Sequence, residues 1–386
     1  IIMKKQILIL LSILSISVFT SCKEPVVEPT KHYLITETTI DGVVYNKVEG
    51  VINEDLIMSS DRNWFLSGGV FVDEGATLTI PYGQTIYADV NLTTFLSIKQ
   101  GGKINADGSS DNPIIFTPLK DNPTYGDWGG IIINGRATIN TGFTAEGEGG
   151  TGIYGGDEDM DNSGSIRYVR VEYAGKILGT DNELNGFSFN GVGSGTLVEY
   201  IQAYKGSDDG IEFFGGTVNV RYAVSTGNQD DCFDWTHGWS GKGQYWYAQQ
   251  DIGGGDRGVE ADNNGDNNSV TPFSNPTISN MTLNGVDDGD GLNEGIRLRA
   301  GTKGKIYYSI VTGFPKYGVN VTDVKTLENI TNDELFVANS NVTGNGINFN
   351  NCLSFNGLTK ILNDSWFYSD PTIGSGTSWM IGWTKQ

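Results

Sequence analysis

The chain has 386 residues, with 46 Asp and Glu against 25 Lys and Arg and a formal net charge of −21 at pH 7. That balance repels nucleic acid and anionic lipid head groups, which excludes both as expected partners, and it suits divalent cations. Glycine is abundant, at 54 residues against 10 prolines, as expected where many turns join many short strands, and 3 cysteines are too few for a disulfide framework.

The first element in chain order is a leader. The start "IIMKKQILILLSILSISVFTSCKEP" carries a short basic region, an apolar run, and small polar residues before Cys22. This reads as a secretory signal over residues 1–21, with Met3 as the initiator; it is too short to span a membrane with these flanks. The run "FTSC" resembles the lipobox of bacterial lipoproteins, with Ser before Cys as in Bacteroidetes examples. The resemblance implies cleavage after Ser21, acylation of Cys22, and a lipid anchor at the outer membrane or cell surface. An ordinary signal peptide cleaved nearby is the alternative. Residues 22–50 read as a tether and N-terminal cap, opening with the polar "KEPVVEPTK".

From residue 51 to 386 the pattern changes to alternating apolar and polar residues broken by Gly, Asn and Asp, as in "GGVFVDEGATLTI" and "WGGIIINGRATI". Alternation of this kind predicts half-buried strands, and no segment beyond the leader shows a helical period. A four-residue pattern then repeats: Gly186-Phe187-Ser188-Phe189, Gly210-Ile211-Glu212-Phe213, Cys232-Phe233-Asp234-Trp235 and Gly258-Val259-Glu260-Ala261. It continues at Gly295-Ile296-Arg297-Leu298, Gly318-Val319-Asn320-Val321 and Gly346-Ile347-Asn348-Phe349. A second column runs ahead of it through Tyr168, Tyr200, Tyr222, Tyr247, Asn280 and Tyr308.

Two columns recurring together every two dozen residues or so predict an all-β chain, a right-handed parallel β-helix. One longer interval holds the insertion between Asn263 and Pro276. In each four-residue pattern the second and fourth residues share a face and point inward, while the third points out. The tyrosine column reads as an internal stack at a corner. Cys232, standing in the glycine column, reads as a small buried residue, and Cys352 likewise. His32 and His237 offer no transition-metal site beside so few thiols.

The outward column makes a ladder of Glu212, Asp234 and Glu260 on successive coils, preceded by Asp208-Asp209, Asp230-Asp231 and Asp256-Arg257. Coils stack about 4.8 Å apart, where two like charges repel by about 3–4 kcal/mol at an effective dielectric near 20. The ladder therefore demands raised pKa values, neutralisation by Arg257, Arg297 and Arg299, or a bound cation. Glu212, Asp234, Glu260, Arg257, Arg297 and Arg299 are the candidate ligand-binding residues. Asp157, Asp159 and Asp161 in "DEDMDNSG" alternate like the first half of a calcium loop, with Tyr168 where the closing Glu would stand, and are the candidate metal ligands. Calcium is the candidate cofactor. "DDGDGLNE" at Asp287–Glu294 is a weaker case of the same pattern.

Two resemblances follow. The stretches "GGKINADGSSDNPIIFTP", "GDWGGIIINGRATIN", "GSIRYVRVEYAG", "NELNGFSFNGVGSGT" and "SWMIGWTKQ" resemble a family of Bacteroidetes surface lipoproteins with β-helix repeats. The acidic coils are similar to the polygalacturonase family of glycoside hydrolases. There "SDDG" matches the first acid motif at Asp209, "NQDDC" the acid pair at Asp230 and Asp231, and "EGIRLR" the cationic motif at Arg297 and Arg299. The motif that carries the family's His reads Asp256-Arg257-Gly258 here, and Ser207-Asp208 replaces Asn-Thr in the first.

The resemblance implies catalytic Asp209, Asp230 and Asp231, with two carboxyls acting as acid and base in inverting hydrolysis. Against it stands a non-catalytic module binding an extracellular polysaccharide or an outer-membrane protein partner, with Trp239 and Trp246 as exposed platforms for sugar rings. The expectation is the binding module, with hydrolysis as the alternative.

Overall fold

The computed structural model describes residues 32–179, 182–287 and 289–386. The leader, Cys22 and the polar stretch through Lys31 lie outside them. Among the described residues no helix is long and apolar enough to cross a membrane.

An antiparallel hairpin, His32–Ile40 with Val43–Ile52, opens the described chain. Its second strand then pairs in parallel with Asn63–Val72, and from there the chain winds as a parallel β-helix in one sheet system of 26 strands among the described residues. One wall stacks Phe95–Ile98, Ile131–Asn134, Phe187–Asn190, Ile211–Phe214, Phe233–Thr236, Arg257–Ala261, Glu294–Leu298, Tyr317–Val321 and Ile347–Asn350. The facing path stacks Gly164–Glu172, Leu197–Tyr204, Asn219–Thr226, Lys242–Gln249 and Thr277–Asn284. Each of these long strands bends midway. The bend is a complete break one coil before and one coil after: Gly164–Glu172 pairs with both Lys103–Asp107 and Ile114–Pro118, and Thr277–Asn284 with both Gly304–Tyr307 and Ile310–Thr312.

The four-residue pattern is the first wall. Phe187, Ile211, Phe233, Val259 and Ile296 stand in register, and with Phe189, Phe213, Trp235, Ala261 and Leu298 they are fully buried. The glycine column follows from close approach between coils. A Cβ at Gly186 would lie 2.5 Å from the Gly210 carbonyl oxygen, and one at Gly210 2.4 Å from Ser225 Oγ. Cys232 fits in the same column as a buried free thiol, and Cys352, just after the last wall strand, is a buried free thiol too.

Several expectations change. The last coil pairs Asn320 with Asn350, so Asn350 and not Asn348 continues the outward column. The tyrosine column runs through Tyr245, because Arg221 pairs with Gln244 and Ala223 with Trp246; Tyr247 sits two residues further on. Tyr168, Tyr200, Tyr222, Tyr245, Asn280 and Tyr308 all have φ between 50° and 60°. They are the left-handed residues that turn the corner, which throws their side chains outward. Tyr168, Tyr200 and Tyr222 stack face to face at 4.2 Å, outside the core rather than within it. Trp239 and Trp246 are fully buried, packed on Phe213 at 4.1 and 5.8 Å, and offer no platform. The helix-free expectation misses one element: Val324–Thr331 is an α-helix capped by Asp323, which accepts the Thr326 N–H at 2.9 Å.

The end of the chain forms a strap, residues 360–386, that passes over the tyrosine corner. Arg221 lies over the rings of Trp366 and Tyr368 at 4.2 and 4.5 Å. Gln244 exchanges hydrogen bonds with the Tyr368 backbone at 2.9 and 3.0 Å. Trp383 packs edge-on against Tyr168 and Tyr200, and Lys385 reaches Glu172 at 2.8 Å.

Candidate functional site

The site is built on the turns that lead from the tyrosine corner into the first wall. Two of them, after Tyr204 and after Thr226, are short. Asn228 holds the pair together: its Oδ1 accepts the Gly206 N–H at 2.6 Å and its Nδ2 donates to Ser225 Oγ at 2.7 Å. The Asp209 carboxylate accepts the Asp231 N–H at 2.9 Å. These turns leave Asp208, Asp209, Asp230 and Asp231 directly ahead of the outward column, in which Ser188, Glu212, Asp234, Glu260, Arg297 and Asn320 stand in register.

Longer excursions flank the short turns. The hairpin Ala145–Glu146 with Ile153–Tyr154 carries Glu148, and the hairpin Ile177–Gly179 with Asn182–Glu183 carries Glu183. The two are tied by the Gly149 N–H donating to Asn182 Oδ1 at 2.8 Å.

Carboxylates crowd here in four overlapping trios: Asp208–Asp209–Asp230, Asp209–Glu212–Asp234, Asp230–Asp231–Asp256 and Asp231–Asp234–Glu260. In each, one oxygen per residue lies within 4.8 Å of the others. The stack divides electrostatically into two halves. In one half cations pair with the acids, although burial still raises Asp231, Glu260 and Asp262. Arg257 meets Asp231 at 3.6 Å, Asp256 at 2.5 Å and Glu260 at 2.9 Å. Arg299 meets Glu260 at 2.6 Å and Asp262 at 2.7 Å, while Arg297 lies 3.6 Å from Glu260 and 3.2 Å from Glu294. Lys316 and Asn320 complete the shell of the fully buried Glu294 at 2.8 Å each.

The other half has no such compensation. Among the described residues Glu148, Glu183, Asp208, Asp209, Glu212, Asp230 and Asp234 form no ion pair. Asn185 donates to Glu212 at 2.6 Å, and one Asp234 oxygen is sealed from solvent without a hydrogen-bond partner. Burial, then neighbouring carboxylates, push Asp209, Glu212 and Asp234 well above the usual carboxylate range. The same causes raise Asp208 to about 8 and Glu148 to about 7.

The structure therefore gathers Asp209, Asp230, Asp231, Glu212, Asp234, Glu260, Arg257, Arg297 and Arg299 on one face. Arg297 and Arg299, the cationic motif of the hydrolase resemblance, are engaged by Glu260, Asp262 and Glu294. Within each trio the oxygens also approach more closely than the separation of about 6.5–9.5 Å at which inverting hydrolysis admits a water. His237 lies 3.3 Å from the Tyr154 hydroxyl, and burial lowers it to about 4.

Asp157, Asp159 and Asp161 do not form such a trio. Asp159 accepts the Thr138 N–H at 3.0 Å, and Asp161 accepts those of Arg136 and Asn162 at 2.8 Å, so these side chains brace loop backbone. Glu294 opens a strand instead of closing a calcium loop. Asp262 was within reach of sequence reasoning, since it stands two residues after Glu260 on the same outward face. Glu148 and Glu183 were not, because they arrive on insertions outside the repeat.

Comparison with protein families finds a match to the pectate-lyase-like β-helix domain over residues 50–384. Comparison with curated proteins gives no match, and comparison with solved structures gives none either.

Proposed function

The chain belongs to the pectate-lyase-like β-helix domain family, and from that premise we propose that it is a cell-surface module that binds polysaccharide through a divalent cation held on its acidic face. The observation that carries this reading is the uncompensated trio Asp209–Glu212–Asp234, with its sealed and unpartnered Asp234 oxygen. An all-oxygen donor set selects a hard cation, and calcium takes oxygens at about 2.3–2.6 Å, so two of its ligands lie at most about 5 Å apart. The trio fits that span. When bound, the cation supplies the positive charge that lets an anionic, uronate-bearing polymer approach a face that otherwise repels it. Asn185 orients Glu212, the Asp231 N–H orients Asp209, and the cation-paired half beside them fixes the ladder.

Calorimetric titration with calcium tests the reading, followed by co-sedimentation with polygalacturonate in calcium and in EDTA. Calcium binding lost in Asp209→Asn and Asp234→Asn, together with calcium-dependent retention of polymer, supports it. Calcium binding unaltered by both substitutions sinks it.

Hydrolysis is the second reading. The observation favouring it is Asp208, a carboxyl held protonated near neutral pH beside acids of the same cluster. New reducing ends released from polygalacturonate, and lost in Asp208→Asn, would move the assignment to hydrolysis. The surface location rests on acylation of Cys22, which lies outside the described residues. Labelled palmitate that enters the protein and is lost in Cys22→Ala tests it.

A further inference from the structure

We propose a second binding site, for a neutral oligosaccharide, in the groove between Tyr308 and the C-terminal strap. It lies on the tyrosine corner, away from the acids, and does not rest on the cation-dependent reading.

Tyr168, Tyr200, Tyr222 and Tyr245 stack on one another in turn. Asn280 then interrupts the ladder, and its amide goes to the strap, donating to the carbonyls of Asp370 at 3.1 Å and Thr372 at 2.6 Å. Tyr308, beyond the interruption, has only the tilted ring of Tyr307 at 6.1 Å for an aromatic neighbour among the described residues. It remains half-buried and lines two adjoining cavities, of about 370 and 500 Å³, that share Tyr308 and Pro371.

The walls are held in place before any ligand arrives. Lys242 pairs with Asp364 at 2.7 Å, and the Tyr245 hydroxyl donates to Asp370 at 3.0 Å. On the other side Asn339 bonds to the backbone of Lys360 in both directions. A site so braced loses little freedom on binding.

The lining decides the ligand class. Tyr308 supplies a ring face, and Tyr368, whose ring already carries Arg221 at 4.5 Å, is still 50 % exposed. Asn363, Ser365 and Ser369, all exposed, line the smaller cavity with amide and hydroxyl groups, which together with the Tyr308 and Tyr368 hydroxyls are left open to a ligand. Flat aromatic faces beside unpaired hydroxyls and amides match a pyranose ring, which offers an apolar face and a rim of hydroxyls. No Lys or Arg lines the smaller cavity, while Asp364 and Asp370 do, and the Lys360 that lines the larger one is paired with Asp333, so an anionic sugar is disfavoured there. The mixed lining is too polar for an apolar peptide.

The test is calorimetric titration of the protein, in EDTA, with cellohexaose, xylohexaose, mannohexaose and laminarihexaose. At least one is expected to bind with a dissociation constant of about 1 mM or tighter. Tyr308→Ala and Tyr368→Ala should each weaken it about tenfold, and Tyr308→Phe should keep most of the affinity. Because Tyr368 is half exposed but also carries Arg221, circular dichroism and an unchanged melting temperature are required of its variant, which then separates loss of the site from loss of the fold. No binding by any of the four, binding indifferent to Tyr368→Ala, or equal binding of an oligogalacturonide overturns the proposal. The use of EDTA keeps a failure here distinct from a failure of the cation-dependent reading.

Discussion

The Asp209 carboxylate accepts the backbone N–H of Asp231 at 2.9 Å, from one coil to the next. The same carboxylate belongs to two acid trios. One side chain thus closes the turn that the repeat requires and carries the charge that marks the site. The acidic face and the scaffold are built from the same residues, which is why Asp-Asp turns recur where the coils are shortest.

That crowding sets a pH dependence. In an unfolded chain Asp208 and Glu148 titrate near their ordinary values of about 4, whereas in the fold they are raised to about 8 and about 7. Between those limits the folded protein holds more protons than the unfolded chain, so their contribution is full below about pH 4 and is lost as pH rises through the folded values. In EDTA the melting temperature should fall from about pH 5 to about pH 8, and calcium should counteract the fall. A melting temperature that stays level or climbs with pH in EDTA contradicts this account.

The two halves of the ladder should respond oppositely to neutralisation. Asp234→Asn removes a crowded carboxyl that forms no ion pair among the described residues and is raised well above the carboxylate range, so in EDTA it should leave stability unchanged or raise it. Glu260→Gln takes one carboxylate from among three guanidiniums within 3.6 Å, and breaking such a buried pair should cost about 3 kcal/mol. Urea denaturation of both variants decides the matter. A larger loss for Asp234→Asn than for Glu260→Gln would reverse the assignment of the halves.

Cys232 and Cys352 are buried, and burial pushes both thiols up to about 12. The thiolate is the reactive form, so in a Cys22→Ser background the native protein should show no thiol reactive to Ellman's reagent at pH 8, and two after denaturation. A thiol that reacts at native conditions would refute the packing of that coil.

The solenoid was legible because a coil buries its apolar residues only by matching its neighbours, and that requirement writes itself into the sequence. Phe187, Ile211, Phe233, Val259 and Ile296 had to agree in register. The outward acids were legible for the same reason. The slips occurred where a second constraint entered. Tyr245 and not Tyr247 turns the corner, because backbone conformation rather than alternation decides which residue adopts a positive φ. Trp239 and Trp246 read as surface residues from their neighbours, yet they fill the interior beside Phe213. Cation pairing at Arg297 and Arg299 depends on which coil brings Glu260 and Asp262 alongside, a contact that no single stretch records.

The strap should be a stabilising element in its own right. Trp383 is fully buried although it lies outside the coils, and it covers the edges of Tyr168 and Tyr200. Its backbone carbonyl accepts Arg170 at 2.7 Å, and the next turn of the strap bonds Gln202 to Lys385. Trp383→Ala should therefore cost about 3–5 kcal/mol, while Trp383→Phe, which keeps an aromatic edge on the ladder, should cost less. Urea denaturation gives the magnitude, and limited proteolysis gives the location: cleavage should appear first within residues 360–386, with the coils intact. Loss below about 1 kcal/mol, or first cleavage within the coils, would mean that the tyrosine ladder holds its corner without the strap.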